Sequence, residues 1–286
     1  MPLLIIKCYN KYMAQTKHIH HYHRHMSVSY PVSIHQRIYS YVVIPLALLF
    51  LVFFALSRFG GKTLPAEPTV TWGYLLAALS VTFARLLLAY VLALIIAIPL
   101  ALLINHSPRA ERVLFPLFDV IQSVPVLAFF PVVILFFVHY NFYNGAAIFI
   151  LLVTMAWSIV FSMVGGLQVI PTDIKNAAKV FGLTKINYVD KVLLPAVVPY
   201  LITGSLLAWA GGWNIIIVAE VLHTYIPGGN AGQDLFGIGS VLVATSSSNQ
   251  HGAFFMAMIV LIIFIALMNF FVWQKLLKYA EKFKFE

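Results

Sequence analysis

Hydrophobic runs of about twenty residues, separated by short polar segments, recur along this chain from Tyr41 to Trp273. As helix, a run of that length crosses a hydrocarbon core of roughly 30 Å. Inside a bilayer every backbone amide and carbonyl must be paired, which leaves helices or a closed barrel. The ten-residue alternation of barrel strands is absent from the sequence. Composition agrees, since 62% of the residues are hydrophobic and only 9% are charged. A soluble domain carries about 25% charged residues. The chain therefore reads as an all-α, polytopic transmembrane helical bundle.

Hydropathy predicts about six spans: Tyr41–Leu56, Tyr74–Ile104, Val113–Val138, Ala146–Val164, Val197–Leu222 and Ala253–Trp273. The third contains Pro116, Pro125 and Pro131, which should kink it and free backbone carbonyls. The basic residues then set the orientation. With a cytoplasmic N-terminus, every Lys and Arg falls on the cytoplasmic side except Arg58, Lys62 and Arg85. Basic residues concentrate on that side of membrane proteins, so both termini are expected inside. The net charge of +9 is thereby a topology signal rather than a nucleic-acid surface. On the outer side, His223–Gly252 has no Lys or Arg, and Leu235–Ala244 within it should form a short helix at or dipping into the outer surface.

Residues 1–38 form a basic, His-rich segment expected to be a flexible cytoplasmic tail, with Lys17–His25 as its histidine cluster. Imidazole makes metal binding a second reading of that cluster. The apolar stretch near residue 3 is too short for a cleavable signal peptide. A first helix and outer loop occupy 39–66, a core domain 67–274, and a basic cytoplasmic tail 275–286. The lone Cys8 cannot form an intramolecular disulfide.

One segment departs from this hydrophobic plan. Residues 171–195 hold four lysines, Lys175, Lys179, Lys185 and Lys191, and two aspartates, Asp173 and Asp190. The pattern fits two short amphipathic helices broken at Gly182, where glycine permits a turn costly for other residues. Within it, Asn176-Ala177-Ala178 is followed after three residues by Gly182, and after nine more by Val192-Leu193-Leu194-Pro195. This spacing resembles the cytoplasmic loop of ABC-transporter permeases of the importer type. That loop reads Glu-Ala-Ala, three residues, Gly, nine residues, Ile-x-Leu-Pro. Ala177, Ala178, Gly182, Leu194 and Pro195 match; Val192 is a mild substitution, and Asn176 replaces the glutamate. Further likeness lies in Ser80–Arg85, Ser123–Pro131, Trp213 with Ala219-Glu220, and Val272–Glu281. These resemble the nitrate/sulfonate/taurine branch of such permeases.

The resemblance implies a type I ABC importer permease fold in a prokaryotic plasma (inner) membrane. It implies a coupling loop seated on a separate cytoplasmic ATPase that binds ATP and Mg, with no cofactor in this chain. It further implies a second permease copy, an extracytoplasmic solute-binding protein, and a small-solute cargo, an anion such as nitrate, sulfonate, taurine or bicarbonate. The chain's own residues agree about the ATPase. Gly60-Gly61-Lys62-Thr63 imitates the end of a phosphate-binding loop, but Leu56 stands where its first glycine belongs. No nucleophile–base or metal motif marks an intramembrane enzyme, so the chain is expected to be a transport subunit without enzymatic activity.

Charges within spans are costly and usually face a partner or a pathway. Arg85 has two readings: an anion-attracting group in the translocation route, or an internal ion pair with Asp119 or Glu220. The pair is preferred, since a pathway should bind its cargo weakly. Gln122, Ser123 and Asn214 are further polar candidates for the pathway, or interhelical hydrogen-bonders. A secondary transporter driven by an ion gradient is the alternative function. It would need midplane ligands and often inverted repeats; only Asp119 and Glu220 are available, and no repeat is evident in the sequence.

Overall fold

The computed structural model describes residues 70–183, 185–229 and 233–283. The expected span Tyr41–Leu56 and the His-rich segment lie outside the described residues. Four helical stretches among the described residues are long and apolar enough to cross a membrane: Trp72–His106, Tyr143–Val169, Val189–Glu220 and His251–Phe283. A bent pair of helices passes the same test jointly.

Helix α1 is Trp72–His106. Thr71 starts it by accepting a hydrogen bond from the Tyr74 amide at 3.3 Å. Ser107 then ends α1 and caps α2, Pro108–Ser123, accepting from the Ala110 amide at 3.4 Å. A serine followed by proline is a strong helix start, because both dispense with otherwise unpaired amides. Helix α3 is Val126–His139. It meets α2 at 85°, so the expected kinked third span is a sharp break. The break sits at one of the three prolines. Val124 is extended, ψ 126°, as a residue before proline is driven to be. Pro116 and Pro131 remain inside their helices.

Helix α4 is Tyr143–Val169, and α5 is Thr172–Val180. The short α6, Lys185–Tyr188, passes through a wide π turn, Val189–Leu193, directly into α7, Leu194–Glu220. The Leu194 amide reaches the Val189 carbonyl across that turn. Pro195 lacks an amide, and its ring crowds the carbonyl four residues back, so a locally widened helix accommodates it. Pro195 is thus the second residue of α7, in a rod that is helical on both sides of it. Helix α8, Ile238–Ser247, is buried along one side among α1, α7 and α9, deeper than a surface helix would be. Helix α9, His251–Met268, continues through a second π turn, Asn269–Trp273, into α10, Gln274–Ala280.

The core is α4 packed between α1 and α7. On α1, Ala89, Ala93, Ala97 and Ala101 recur every fourth residue and are fully buried. Small side chains at this spacing let helix backbones approach closely, which drives association where lipid removes the hydrophobic advantage. The opposite face of α1 exposes Leu92, Ile95, Ile96 and Leu103. On α7, the Cβ that Gly204 lacks would meet Ser162 at 2.7 Å, so α7 also lies tightly on α4. Trp209 gathers Phe83, Tyr90, Trp213 and Trp273 at ring distances of 5.6–6.3 Å. Ala257 is the buried residue of α9, which otherwise turns outward.

Contacts order the two ends of the bundle. Arg85 meets Asn144 and Glu220, whereas Glu111 meets Gln168. Hence α1 and α4 are parallel and α7 runs against them. The starts of α1 and α4 and the end of α7 form one end, and α5 forms the other.

Candidate functional site

At the first end, Arg85 and Glu220 are both fully buried and 2.7 Å apart. Glu220 Oε1 accepts from Arg85 Nη1 and from the Thr82 hydroxyl, each at 2.7 Å, while Oε2 accepts from the Gly239 amide at 2.8 Å. Arg85 Nε donates to Asn144 Oδ1 at 2.8 Å, and Nη1 also donates to the Phe236 carbonyl at 2.8 Å. The Ile238 amide donates to Thr82 Oγ1 at 2.9 Å. The Leu235 amide reaches the Glu220 carbonyl at 3.0 Å. One ion pair thus clasps α1, α4, α7 and segment 235–239 together. A buried pair persists only with good geometry and further hydrogen bonds, which this clasp supplies. Its charges cancel, so the pair carries no net charge with which to attract an anion. Arg85 Nη2 is buried without a partner among the described residues.

Gly237 and Gly239 fit against the same carboxylate. A Cβ at Gly237 would run into the Glu220 carboxylate, and one at Gly239 would lie 2.9 Å from Oε2. The alternating Gly-Ile-Gly was the sequence signal for this close approach, as were Thr82 and Asn144 near predicted span ends; sequence reasoning did not use them. His223 adds a second tie in this region, its Nδ1 lying 2.8 Å from Asp234 Oδ2.

Asp119 is elsewhere. It is exposed at the end of α2, where its carboxylate accepts from Gln122 Nε2 at 3.1 Å and its carbonyl from the Ser123 hydroxyl at 2.7 Å. The structure therefore brings Glu220, not Asp119, to Arg85. Phe118 of α2 packs on Trp157 at 5.3 Å, near the midpoint of α4, about two turns before the α2–α3 break. Asn214 is also exposed, on α7. Asp119, Gln122, Ser123 and Asn214 are thus all exposed.

At the other end, α5 leans on the core through Ile174 and Ala178. Ala178 is buried and Ala177 exposed, so only one of the two alanines remains for a neighbouring surface. Gly182 has φ 66°. The Gly182 amide donates to the Lys179 carbonyl and the Leu183 amide to the Ala178 carbonyl, both at 3.0 Å. This pair of bonds is the Schellman helix ending, and it needs a left-handed residue at that position. The same ending occurs at Asn141 and Asn249, φ 55° and 53°. Just before Gly182, Val180 and Phe181 are 85% and 80% exposed. Asn176 is exposed too, while Val192, Leu194 and Pro195 are half-buried where the rod enters the bundle. Sequence reasoning noted the glycine but missed the apolar pair it presents.

Among the described residues no group of His, Cys, Asp or Glu is arranged to hold a metal ion. A helical hairpin at one end of an all-α membrane bundle, with that loop spacing, invites comparison with transport proteins. The family model of the binding-protein-dependent transport system inner membrane component matches residues 89–277. The chain belongs to this family. The matched region of this inner membrane component runs from the alanine ladder of α1 into α10. Nitrate import permease protein NrtB of Leptolyngbya laminosa is 37% identical over 144 residues, 50% of each chain. Bicarbonate transport system permease protein CmpB of Synechococcus elongatus is 32% identical over 147 residues, 51% of this chain and 52% of its own. Glycine betaine/proline betaine transport system permease protein ProW of Escherichia coli is 25% identical over 180 residues, 63% of this chain and 49% of its own. The chain spans about half the length of these relatives.

Proposed function

We propose that this chain is the transmembrane permease subunit of an ABC importer for a small anion of the nitrate or bicarbonate kind. The observation that carries the reading is the hairpin. Its glycine turn holds two bare apolar side chains, Val180 and Phe181, at the foot of a helix continuous with α7. Exposed apolar residues at a polar loop are characteristic of a surface that a partner covers. Membership of the family and the relatives named for nitrate and bicarbonate support the cargo class.

In this reading both termini and the hairpin are cytoplasmic, as the basic residues favour. A separate ATPase binds ATP and Mg and receives the hairpin, with Asn176, Ala177 and Gly182 at the contact and Val192, Leu194 and Pro195 at the root of the rod. A second copy of the permease completes the pathway, and a solute-binding protein delivers cargo outside. ATP binding closes the ATPase dimer, the hairpins follow, and the rod passes the motion to the spans. Asp119, Gln122, Ser123 and Asn214, all exposed, face the route. A broken helix there is tolerated where it lines a cavity. Arg85 and Glu220 form scaffold rather than cargo contacts.

Gly182 supplies the test. Asparagine fills the same helix ending twice in this chain, so Gly182→Asn should keep ATPase co-purification and ATP-driven uptake. Gly182→Val places a β-branched residue in the left-handed region, at a cost of about 1–2 kcal/mol. It should lose uptake while inserting into membranes normally. Full uptake with Gly182→Val would remove the hairpin from coupling.

A further inference from the structure

A cavity of about 690 Å³ lies at the hairpin end, between the last turn of α1, α5 and the π turn that begins the rod. That volume falls within the roughly 300–1,000 Å³ of ligand sites. Its two sides differ in chemistry. Leu102, Leu103, Val189 and Leu193 supply an apolar wall, and Asn105, His106 and Lys175 supply polar groups. Lys175 is half-buried and makes no ion pair with any described carboxylate. Its ammonium offers three donors to an anion that enters the cavity. The wall also has a direction. Leu103, 52% exposed, is the last member of the apolar stripe Leu92, Ile95, Ile96 that runs up α1 opposite its alanine ladder. The cavity is thus continuous with an apolar face of α1 that is exposed among the described residues.

A ligand suited to both sides has an anionic head and an apolar body that leaves along α1. We propose that the cavity holds the headgroup of an anionic phospholipid, with its phosphate against Lys175 and His106 and its acyl chains along Leu103 and Ile96. Basic pockets between transmembrane helices on the cytoplasmic side are suited to such headgroups. The inference rests on the reading that places the hairpin at the cytoplasmic membrane surface. The lipid would wedge α1 against the foot of the rod, and so would sit where hairpin motion enters the bundle.

The test uses the full chain purified in detergent with phosphatidylglycerol or phosphatidylcholine of identical acyl chains, and counts retained lipid by native mass spectrometry. Phosphatidylglycerol should be retained at one molecule per chain and phosphatidylcholine stripped. Lys175→Glu should lower retention at least about fivefold, the order expected for one cation at an anionic membrane surface. Leu103→Trp leaves every charge in place but fills the wall, and should also displace the lipid. Because Leu103 is half-exposed, this variant keeps the proposal falsifiable if Lys175→Glu does not fold. Equal retention of the two lipids, or unchanged retention in a folded variant, would overturn the proposal. So would displacement of the lipid by millimolar inorganic phosphate, which would make the site one for free phosphate. ATPase co-purification is scored on the same preparations. Loss of ATPase binding by the wild-type chain with the lipid retained counts against the coupling reading alone, and the reverse counts against the lipid alone.

Discussion

The two ends of α7 invert the usual arrangement of polar and apolar groups in opposite ways. At Glu220 the chain buries charge and surrounds it with donors from α1 and from segment 235–239. At the hairpin it does the reverse and leaves Val180 and Phe181 bare on a lysine-rich segment. At the first end the Glu220 carboxylate is fully engaged within one chain, with only Arg85 Nη2 and the Tyr74 hydroxyl left unpartnered among the described residues. The second end is unfinished. Its apolar surface has nothing among the described residues to cover it, and backbone bonds hold the turn that displays it. The contrast separates residues that keep the bundle together from those free to meet another protein.

Breaking the clasp should have the largest effect. Glu220→Ala leaves Arg85 buried and unpaired, at a cost of about 3–5 kcal/mol, read as a lower thermal midpoint in detergent or loss of folded protein. Replacing both charges, Arg85→Met with Glu220→Leu, should recover much of that loss, since a well-packed apolar pair can substitute for a buried ion pair. If the double replacement is as damaging as the single one, Arg85 has a role beyond the clasp. Gly237→Ala comes next. Its methyl group collides with the Glu220 carboxylate, and overpacking of this kind costs about 1–3 kcal/mol. The smallest stability change belongs to the hairpin. Phe181→Ala should shift stability by no more than about 0.5 kcal/mol, as exposed substitutions do, yet weaken co-purification of the ATPase. A large drop in melting temperature for Phe181→Ala would show that this end is also closed within the chain.

Legibility followed the range of the forces involved. Hydropathy is local and additive, so α1, α4, α7 and α9 could be read to within a few residues at most of their ends. Gly182 was legible because a left-handed helix ending has a residue signature of its own. The 85° break was not, although its prolines were plain. Proline removes a bond and a conformation, but whether a helix absorbs it, as at Pro116, or breaks, as at Pro125, depends on what packs nearby. The choice of Glu220 over Asp119 as the partner of Arg85 required the antiparallel register of α1 and α7, which no local pattern encodes. Likewise Ala177 and Ala178 look equivalent in sequence, and only the contact of α5 with the core tells them apart. The basic tail expected from residue 275 continues the preceding helix through α10, because nothing in Gln274–Ala280 stops it.

The wide turn at Val189–Leu193 has a mechanical meaning. Had Pro195 cut the helix, a push on the hairpin would dissipate in a loop. Because the helix only widens, Val189–Glu220 forms an unbroken beam of 32 residues. Its length is about 48 Å, so a tilt of about 5° around one end carries the other through about 4 Å. In the proposed coupling, the clasp around Glu220 is the fulcrum of that beam and the hairpin its handle.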